Sequence, residues 1–486
     1  MGESHADDLF LGSSYGLHSY GDLNQFQRFF LQFLYDFGHD FNKPVGFLAP
    51  STDTLIFAIA ACWKLGIPFV PFDVKASEQE LQQQISAIDP GLIFTGPDQQ
   101  SKIAYSDSID IRQLDLPRSL TIDVELGYQA TNYQPKTSAD QVFGYFFTSG
   151  TSGTPKIVPL KRRQMQVAAQ ASAQNFKPRI NHFWLLCLPL NHIGAISIVL
   201  RSLLYGSAIF RMKSFHPKII TTFLKENKLF QAASLVPTML KRLLERPGFH
   251  VHNNFKAILL GGGPISPNLV EQCDAKGVPL VPSYGMTETC AQIAANPILK
   301  PSGTYGPMKS VGTILGPNSI EIRDEDDQPV GANTSGEIWL KGPQVFDGYL
   351  NRNNDDYFDE NNWFKTGDYG HLNANNQLFI ESRRSDLIIT GGENVSPFEV
   401  ESELEKIAPI TEAAVIGLPD DEWGEKVVAV VVAKTEEAID SDKIQQELKK
   451  RMTSFKIPKQ IIQRDSLPRT RTGKIMRSDL SKLFEE

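Results

Sequence analysis

Cysteine is scarce in this chain of 486 residues. The four cysteines are far apart and form no C-x-x-C pair: Cys62, Cys187, Cys273 and Cys290. This spacing argues against a disulfide framework or a zinc site, and it fits a reducing compartment. No spacing of histidine, cysteine and carboxylate residues elsewhere suggests a bound transition metal. We therefore expect a cytoplasmic protein.

Long hydrophobic runs are also missing. Among the longest is residues 55–63, far short of the roughly 20 residues that a membrane-spanning helix needs. Residues 1–8 are acidic and lack the apolar core of a signal peptide. The sequence therefore predicts a soluble chain without stable membrane insertion.

No charge of one sign dominates. The chain has 48 Lys and Arg against 56 Asp and Glu, and the net charge of −8 is spread out rather than gathered in a tail. This balance argues against nucleic acid or an anionic membrane as the main partner. An anionic small molecule would need locally placed lysines and arginines.

Two common catalytic signatures are absent as well. There is no G-x-S-x-G elbow of the α/β-hydrolases and no G-x-x-x-x-G-K-[ST] phosphate loop. What is present is an ordinary globular composition, 41% hydrophobic and 21% charged, over a length that suggests two or three domains.

Strands and helices alternate over the first part of the chain. Apolar runs at 45–49, 68–71 and 92–95 flank helical stretches at 52–65 and 78–88. The alternation resumes at 183–281, with helices at 193–205 and 236–245 and a strand at 257–260. This order predicts an α/β fold with parallel sheets, arranged as two layered subdomains.

The pattern changes beyond Gly303. Short runs such as 319–322 and 336–340 are separated by Gly, Asn and Asp turns, which predicts an antiparallel or barrel-like subdomain. A small α+β unit then follows, with a helix near 397–407, strands near 413–416 and 427–432, and a helix at 441–452. We predict an N-terminal domain at 1–383, a hinge at 384–386 and a mobile C-terminal domain at 387–486.

The most informative stretch is residues 148–156, which follow an apolar strand-like run at 142–147. Glycines, hydroxyls and a lysine suit a polyphosphate, because they supply close backbone N–H groups, short hydrogen bonds and positive charge. The candidate phosphate-binding residues are Thr148, Ser149, Gly150, Thr151, Ser152, Gly153, Thr154 and Lys156. A flexible surface loop is the alternative interpretation.

Further motifs follow in order: residues 283–289 (SYGMTET), 366–368 (TGD), 384–386 (RSD), 391–394 (GGEN) and 469–474 (RTRTGK). Over residues 15–480 the chain resembles the adenylate-forming superfamily of acyl-CoA synthetases, luciferases and peptide-synthetase adenylation domains. The resemblance implies binding of ATP, Mg²⁺ and coenzyme A, and activation of a carboxylic acid as an acyl-adenylate. Carboxylate activation then needs charge neutralisation, metal binding and electrostatic stabilisation of the transition state.

The resemblance assigns nucleotide-binding roles to several residues. Tyr284 would stack on adenine, Thr287 would contact the α-phosphate and Glu288 would ligate Mg²⁺. A core tyrosine beside a helix cap is the alternative for this segment. The backbone of Gly261, Gly262 and Gly263 would line the adenine pocket, with a simple turn as the alternative.

Other roles fall later in the chain. Asp368 would accept hydrogen bonds from the ribose hydroxyls, unless it is only a turn aspartate. Arg384 would contact the ribose and phosphate region, and Lys474 would bridge the carboxylate and the α-phosphate. Gly391 and Gly392 would border a tunnel for the pantetheine arm of CoA.

The acid substrate is predicted from the sequence of residues 259–264 and 283–292, which most resembles the o-succinylbenzoate-ligating branch of menaquinone biosynthesis. An aromatic diacid needs a compact pocket with a polar end. The candidate lining residues are His192, Ser197, Ser234, Thr238, Gly285 and Met286, with His192 also a catalytic candidate. Hydroxyls on helices more often bond the local backbone, and His192 could simply be a histidine at a helix start.

Alternatives remain open at this point. Another aryl or medium-chain acid, a separate carrier protein in place of CoA, or a nucleotide-responsive binding module without catalysis would each fit part of the pattern. The oligomeric state is also open, a homodimer included.

Overall fold

A computed structural model describes residues 5–103, 108–114, 132–135, 137–148, 156–301, 310–383, 386–390, 393–420, 423–434, 439–469 and 475–484. Some predicted site residues lie outside these ranges: Ser149, Gly150, Thr151, Ser152, Gly153, Thr154, Arg384, Gly391, Gly392 and Lys474. Their assignments stay predictions.

Helices and strands are numbered in chain order over the described residues. The helices are α1 Tyr20–Asp36, α2 Asp53–Leu65, α3 Glu78–Ile88, α4 Arg162–Phe176, α5 Ile193–Tyr205, α6 Pro217–Glu226, α7 Pro237–Leu244, α8 Pro267–Ala275, α9 Pro397–Leu404, α10 Ser441–Lys449 and α11 Arg477–Leu480. The strands are β1 Leu9–Ser13, β2 Gly16–Ser19, β3 Val45–Leu48, β4 Phe69–Pro71, β5 Leu92–Thr95, β6 Ser108–Asp110, β7 Val142–Thr148, β8 Lys156–Lys161, β9 Phe183–Leu186, β10 Ala208–Arg211, β11 Phe230–Leu235, β12 Ala257–Leu260, β13 Leu280–Met286, β14 Ala291–Ala295, β15 Ser310–Ile314, β16 Ser319–Arg323, β17 Gly336–Lys341, β18 Phe364–Leu372, β19 Leu378–Arg383, β20 Ile388–Thr390, β21 Glu393–Val395, β22 Ile410–Asp420, β23 Gly424–Ala433 and β24 Gln460–Gln463.

Two large sheets organise the N-terminal part. The first has the order β6-β5-β3-β4-β7-β8 and is parallel except for the β7–β8 hairpin. The second is parallel from β1 through β10, β9, β11 and β12 to β13. Beyond β13 the pairing becomes antiparallel through β14, β15, β19, β18, β17 and β16. The predicted α/β class and the antiparallel region are confirmed, and the latter extends the second sheet.

The helices α2 and α5 lie in the apolar core that the two large sheets share. Both are apolar nearly all round, which is the composition of a buried helix. Each ends at a glycine in the left-handed region, Gly66 with φ 69° and Gly206 with φ 69°, where a glycine carries no Cβ penalty. One continuous apolar cluster joins them to Phe47 of β3 and Trp184 of β9, which fixes α5 beside the ends of the parallel strands.

A smaller unit follows β19. Its sheet has the order β21-β20-β23-β22, with β24 paired to β23, and α9 and α10 pack on it. The long β22–β23 hairpin and its apolar cluster give this C-terminal unit a core of its own.

All four cysteines are buried, and none forms a disulfide bond. Among the described residues, no helix has the length and apolar character that crossing a membrane would require.

Candidate active site

The candidate site lies where the parallel strands of the second sheet end. β12 runs into Gly261–Gly263, and β13 ends in the predicted Tyr284, Gly285 and Met286. Ser283 donates a hydrogen bond to the Leu260 carbonyl at 2.9 Å, so a Cβ on Gly261 would lie only 2.8 Å from the Ser283 hydroxyl. Gly262 has φ 77°, which few residues other than glycine adopt. Carboxyl ends of parallel strands are where open α/β sheets bind ligands.

Tyr284 and Asp368 are in direct contact. The Tyr284 hydroxyl donates a 2.7 Å hydrogen bond to Asp368 Oδ2, and both side chains are buried. Asp368 sits on β18, and its backbone N–H donates to the Thr366 hydroxyl at 3.0 Å. A flat aromatic ring and a carboxylate are thus fixed side by side, which suits a base and its ribose.

The segment after Tyr284 is tightly bent. Thr287–Thr289 forms a 3-10 turn, and Cys290 and Ala291 follow with φ 53° and 83°, a backbone region that costs free energy for residues with a Cβ. Gly285 makes the bend feasible, because a Cβ there would lie 1.7 Å from the Ala291 carbonyl oxygen. The Thr289 hydroxyl accepts from the Met286 backbone N–H at 3.0 Å and pins the turn.

Glu288 is held in this turn. It is buried, and its Oε1 accepts a 2.7 Å hydrogen bond from the Tyr349 hydroxyl. The Lys156 ammonium lies 4.9 Å from the centre of the Tyr349 ring and 4.4 Å from that of Tyr357. Lys156, the last residue of the predicted phosphate motif, therefore lies near Glu288, the predicted metal ligand, with Tyr349 between them.

Thr148 and Lys156 face each other across the β7–β8 hairpin, so the nine-residue motif connects two antiparallel strands. The strand before the motif is confirmed. The strand after it is not predicted from the sequence.

A single carboxylate fits Mg²⁺, which keeps several waters and takes its other ligands from phosphates. No group of three His, Cys, Asp or Glu side chains that could enclose a metal occurs among the described residues. Glu288 is thus suited to a metal that arrives with a nucleotide.

The predicted acid-binding residues fall into different environments. His192 is exposed at the start of α5, and Thr238 is half-buried in the first turn of α7. The Ser234 hydroxyl accepts a 2.9 Å hydrogen bond from the buried Trp184 indole. The Ser197 hydroxyl donates to the Gly194 carbonyl at 2.8 Å, which is the local bonding expected of helical serines.

Arg201 is a candidate site residue that the sequence reasoning missed. It is 2% exposed on α5, and its guanidinium lies 4.2 Å from the centre of the Trp184 ring. Its Nη1 donates to Ser197 at 3.3 Å, whereas Nε and Nη2 have no hydrogen-bond partner among the described residues. Burial lowers its pKa to about 9, which still leaves the side chain protonated at neutral pH. An arginine inside the apolar run 196–201 was the available signal, because arginines are almost never fully buried without a partner.

Arg201 borders a cavity of about 10 Å³, room for one water molecule. Gln292 of β14 also lines it, and both polar atoms of its side-chain amide lack partners among the described residues. Unsatisfied buried donors are costly, so this cluster can accept a water molecule or a polar ligand group.

A site at the ends of parallel strands, with a candidate phosphate motif nearby and a buried carboxylate beside an aromatic ring, is typical of an enzyme that works on nucleotides. The chain belongs to the AMP-binding enzyme family: the model of that family matches residues 2–350, and that of the AMP-binding enzyme C-terminal domain matches residues 399–474.

Individual relatives within the family have a named activity. The chain is 35% identical to 2-succinylbenzoate–CoA ligase of Enterococcus faecalis, over 89% of this chain and 87% of the relative. It is similar to the structure of o-succinylbenzoate CoA synthetase (MenE) from Bacillus subtilis in complex with the acyl-adenylate intermediate OSB-AMP, with a TM-score of 0.85, 30% identity and coverage of 97% and 95%. The same enzyme has been solved with ATP and a magnesium ion, at a TM-score of 0.83, 30% identity and coverage of 98% and 96%.

Proposed function

We propose that this protein is an ATP-dependent ligase that joins o-succinylbenzoate to coenzyme A. A carboxylate of the acid attacks the α-phosphorus of ATP, and pyrophosphate leaves to give the acyl-adenylate. The CoA thiol then attacks the acyl carbon and AMP leaves. The activity that the relatives share supports this reaction, which is a step of menaquinone biosynthesis. We propose that the enzyme works in the cytoplasm.

The described residues bind different parts of the nucleotide. Tyr284 stacks on the adenine and Asp368 accepts from the ribose hydroxyls, each held by the hydrogen bond that joins them. Thr287 donates to the α-phosphate from the pinned turn, and Lys156 neutralises charge on the outer phosphates. Glu288 would hold Mg²⁺, which supplies positive charge to the phosphates as pyrophosphate departs.

The acid needs one carboxylate at the α-phosphate and a second group elsewhere. Arg201 is the observation that carries the choice of a diacid, since two of its nitrogens lack partners among the described residues. Nε and Nη2 can donate charge-assisted hydrogen bonds toward such a group. The second carboxylate of o-succinylbenzoate then interacts with Arg201 through the single water for which the cavity has room.

A panel of acids tests the proposal. The purified enzyme is given ATP, Mg²⁺ and CoA with o-succinylbenzoate, benzoate, 4-coumarate or octanoate, and CoA-ester formation is measured. We expect a clear preference for o-succinylbenzoate. A preference for any of the other three acids would overturn the assignment.

A further inference from the structure

One lysine of the N-terminal domain reaches into the C-terminal domain. Lys241, near the end of α7, places its ammonium 3.0 Å from the Thr411 carbonyl and 2.9 Å from Glu412 Oε1, both on β22. The other oxygen of Glu412 accepts a 2.8 Å hydrogen bond from Arg469. All three side chains are about one-third exposed or less, so these contacts are screened less than surface pairs.

Arg469 stands at the base of the segment that carries the predicted catalytic lysine. It forms an antiparallel bridge with Ile475, and Lys474 is the residue directly before Ile475 in the chain. The chain of contacts Lys241–Glu412–Arg469 therefore attaches this base to the large domain.

The attachment lies on the nucleotide side of the site. α7 begins at Pro237, whose ring lies 3.6 Å from the position that a Cβ on Gly263 would occupy. The first turn of α7 thus lies beside the predicted adenine loop, residues 261–263, and its last turn contacts the C-terminal domain through Lys241.

Lys241 also balances a group of carboxylates. Burial would raise the pKa of Glu412, but the hydrogen bonds from Arg469 and Lys241 outweigh it and hold that pKa below its ordinary value. Burial raises the pKa of Glu405 to about 7, against the opposing effect of Lys241 and with a further increase from Glu401 and Glu412. The charged groups facing Lys241 are therefore mostly anionic, and removing the lysine leaves buried carboxylates with less compensation.

We propose that Lys241 is a positioning residue that docks the C-terminal domain for adenylation and is released for thioester formation. The proposal rests on the two-step function above. Without Lys241, the docked state loses the stabilisation from this contact. The free energy of the undocked state changes little, because the same carboxylates are there exposed to water. The equilibrium then shifts away from the state that adenylates.

Separate half-reactions test the proposal. Pyrophosphate release at saturating acid reports adenylation, and CoA-ester formation from preformed acyl-adenylate reports the second step. Lys241→Met should slow adenylation roughly three- to tenfold, the range for one partly exposed charge contact, and leave the second step unchanged or faster. Lys241→Arg should restore adenylation, and Lys225→Met on the neighbouring exposed surface of α6 should change neither step.

An equal loss of both half-reactions in Lys241→Met would mean a merely structural role, and unchanged adenylation would mean no role; either result overturns the proposal. Failure of wild-type enzyme to adenylate o-succinylbenzoate would instead contradict the proposed function, so the two failures are distinguishable.

Cross-linking gives a second measurement. The native cysteines are all buried, so a Lys241→Cys, Glu412→Cys double variant can be joined selectively by a short bismaleimide. The cross-linked protein should adenylate but transfer the acyl group to CoA at least about tenfold more slowly than the unlinked variant, because docking is then permanent. Unimpaired transfer in the cross-linked protein would overturn the proposal.

Discussion

Arg201 combines burial, a positive charge and two nitrogens without partners among the described residues, and that combination is unfavourable for folding alone. Buried charges that lack full compensation often mark binding sites, where a ligand supplies the missing partner. At the scale of single residues, Arg201 is therefore the strongest indication that the substrate carries a second negative charge.

Replacing Arg201 with methionine should separate binding from stability. We expect Arg201→Met to lower kcat/KM for o-succinylbenzoate roughly 10- to 100-fold, the loss of a charged hydrogen bond, mainly through KM. The Tm should stay the same or rise, because an apolar side chain of similar volume removes an uncompensated charge.

Arg162 provides a matched control for Arg201. It is also a buried arginine, stacked 3.8 Å from the Trp63 ring, but it donates to the Trp63 carbonyl at 2.7 Å. Arg162→Met should lower the Tm and leave KM unchanged. An Arg201→Met enzyme with wild-type KM would contradict the role of Arg201.

Gly285 should tolerate no side chain. In Gly285→Ala, the new Cβ would lie 1.7 Å from the Ala291 carbonyl oxygen, so the hairpin that carries Thr287 and Glu288 must move. We expect adenylation to fall at least about 100-fold, since small displacements of positioned groups are costly. Gly331→Ala, where no atom lies within 4 Å of the new Cβ, should be silent in the same assay. Comparable activity of the two variants would show that the bend does not position the site.

The sequence suggests candidate residues within local motifs, whereas it marks Arg201 only as an arginine in a largely apolar run. The Tyr284–Glu288 segment and Asp368 lie within short patterns that suit a nucleotide. The role of Arg201 depends on β14 bringing Gln292 opposite α5, a contact between residues 91 positions apart in sequence. No local pattern contains such a contact.

At the scale of elements, the boundary between β19 and β20 is where the sequence predicts the hinge. Residue Asp386, in the predicted hinge, lies between them, and its carboxylate is 3.4 Å from Arg477 Nε. We infer that the C-terminal domain rotates about this position, because Lys474 must occupy the site for adenylation and leave it for thiol attack.

Restricting this hinge should affect the two half-reactions unequally. Asp386→Pro fixes φ near −65° and should slow thioester formation more than adenylation. Asp386→Ala removes the same carboxylate but keeps the backbone free, so it should spare the ratio of the two rates. Equal losses of both half-reactions in Asp386→Pro would count against the hinge.

Helices and strands with strong periodicity were predicted closely, as in α3, α5 and β12, whose bounds match the structure. The C-terminal helices end earlier than predicted, α9 at Leu404 and α10 at Lys449. Apolar residues in the turns that follow each helix continue its hydrophobic periodicity, so the periodicity alone does not mark the helix end. The continuation of the second sheet into the antiparallel strands depends on long-range pairing, which periodicity does not encode.

At the scale of the whole molecule, we infer that one site serves both half-reactions and that the C-terminal domain moves between them. Lys474→Ala should therefore abolish adenylation, by roughly 10²–10³ in rate, while largely sparing the use of preformed acyl-adenylate. Lys482→Ala is the control, since Lys482 is exposed and pairs with Asp479 on the same short segment. Wild-type adenylation by Lys474→Ala, or its inability to use acyl-adenylate, would show that Lys474 has another role.

The most direct test of the central claim compares o-succinylbenzoate with two monoacids that each lack one carboxylate, 4-oxo-4-phenylbutanoate and 2-butyrylbenzoate. The measurement is kcat/KM for CoA-ester formation by the wild-type enzyme. The account predicts that o-succinylbenzoate exceeds both monoacids by roughly tenfold or more, since each lacks either the reacting group or the partner of Arg201. Equal kcat/KM for o-succinylbenzoate and either monoacid would contradict it.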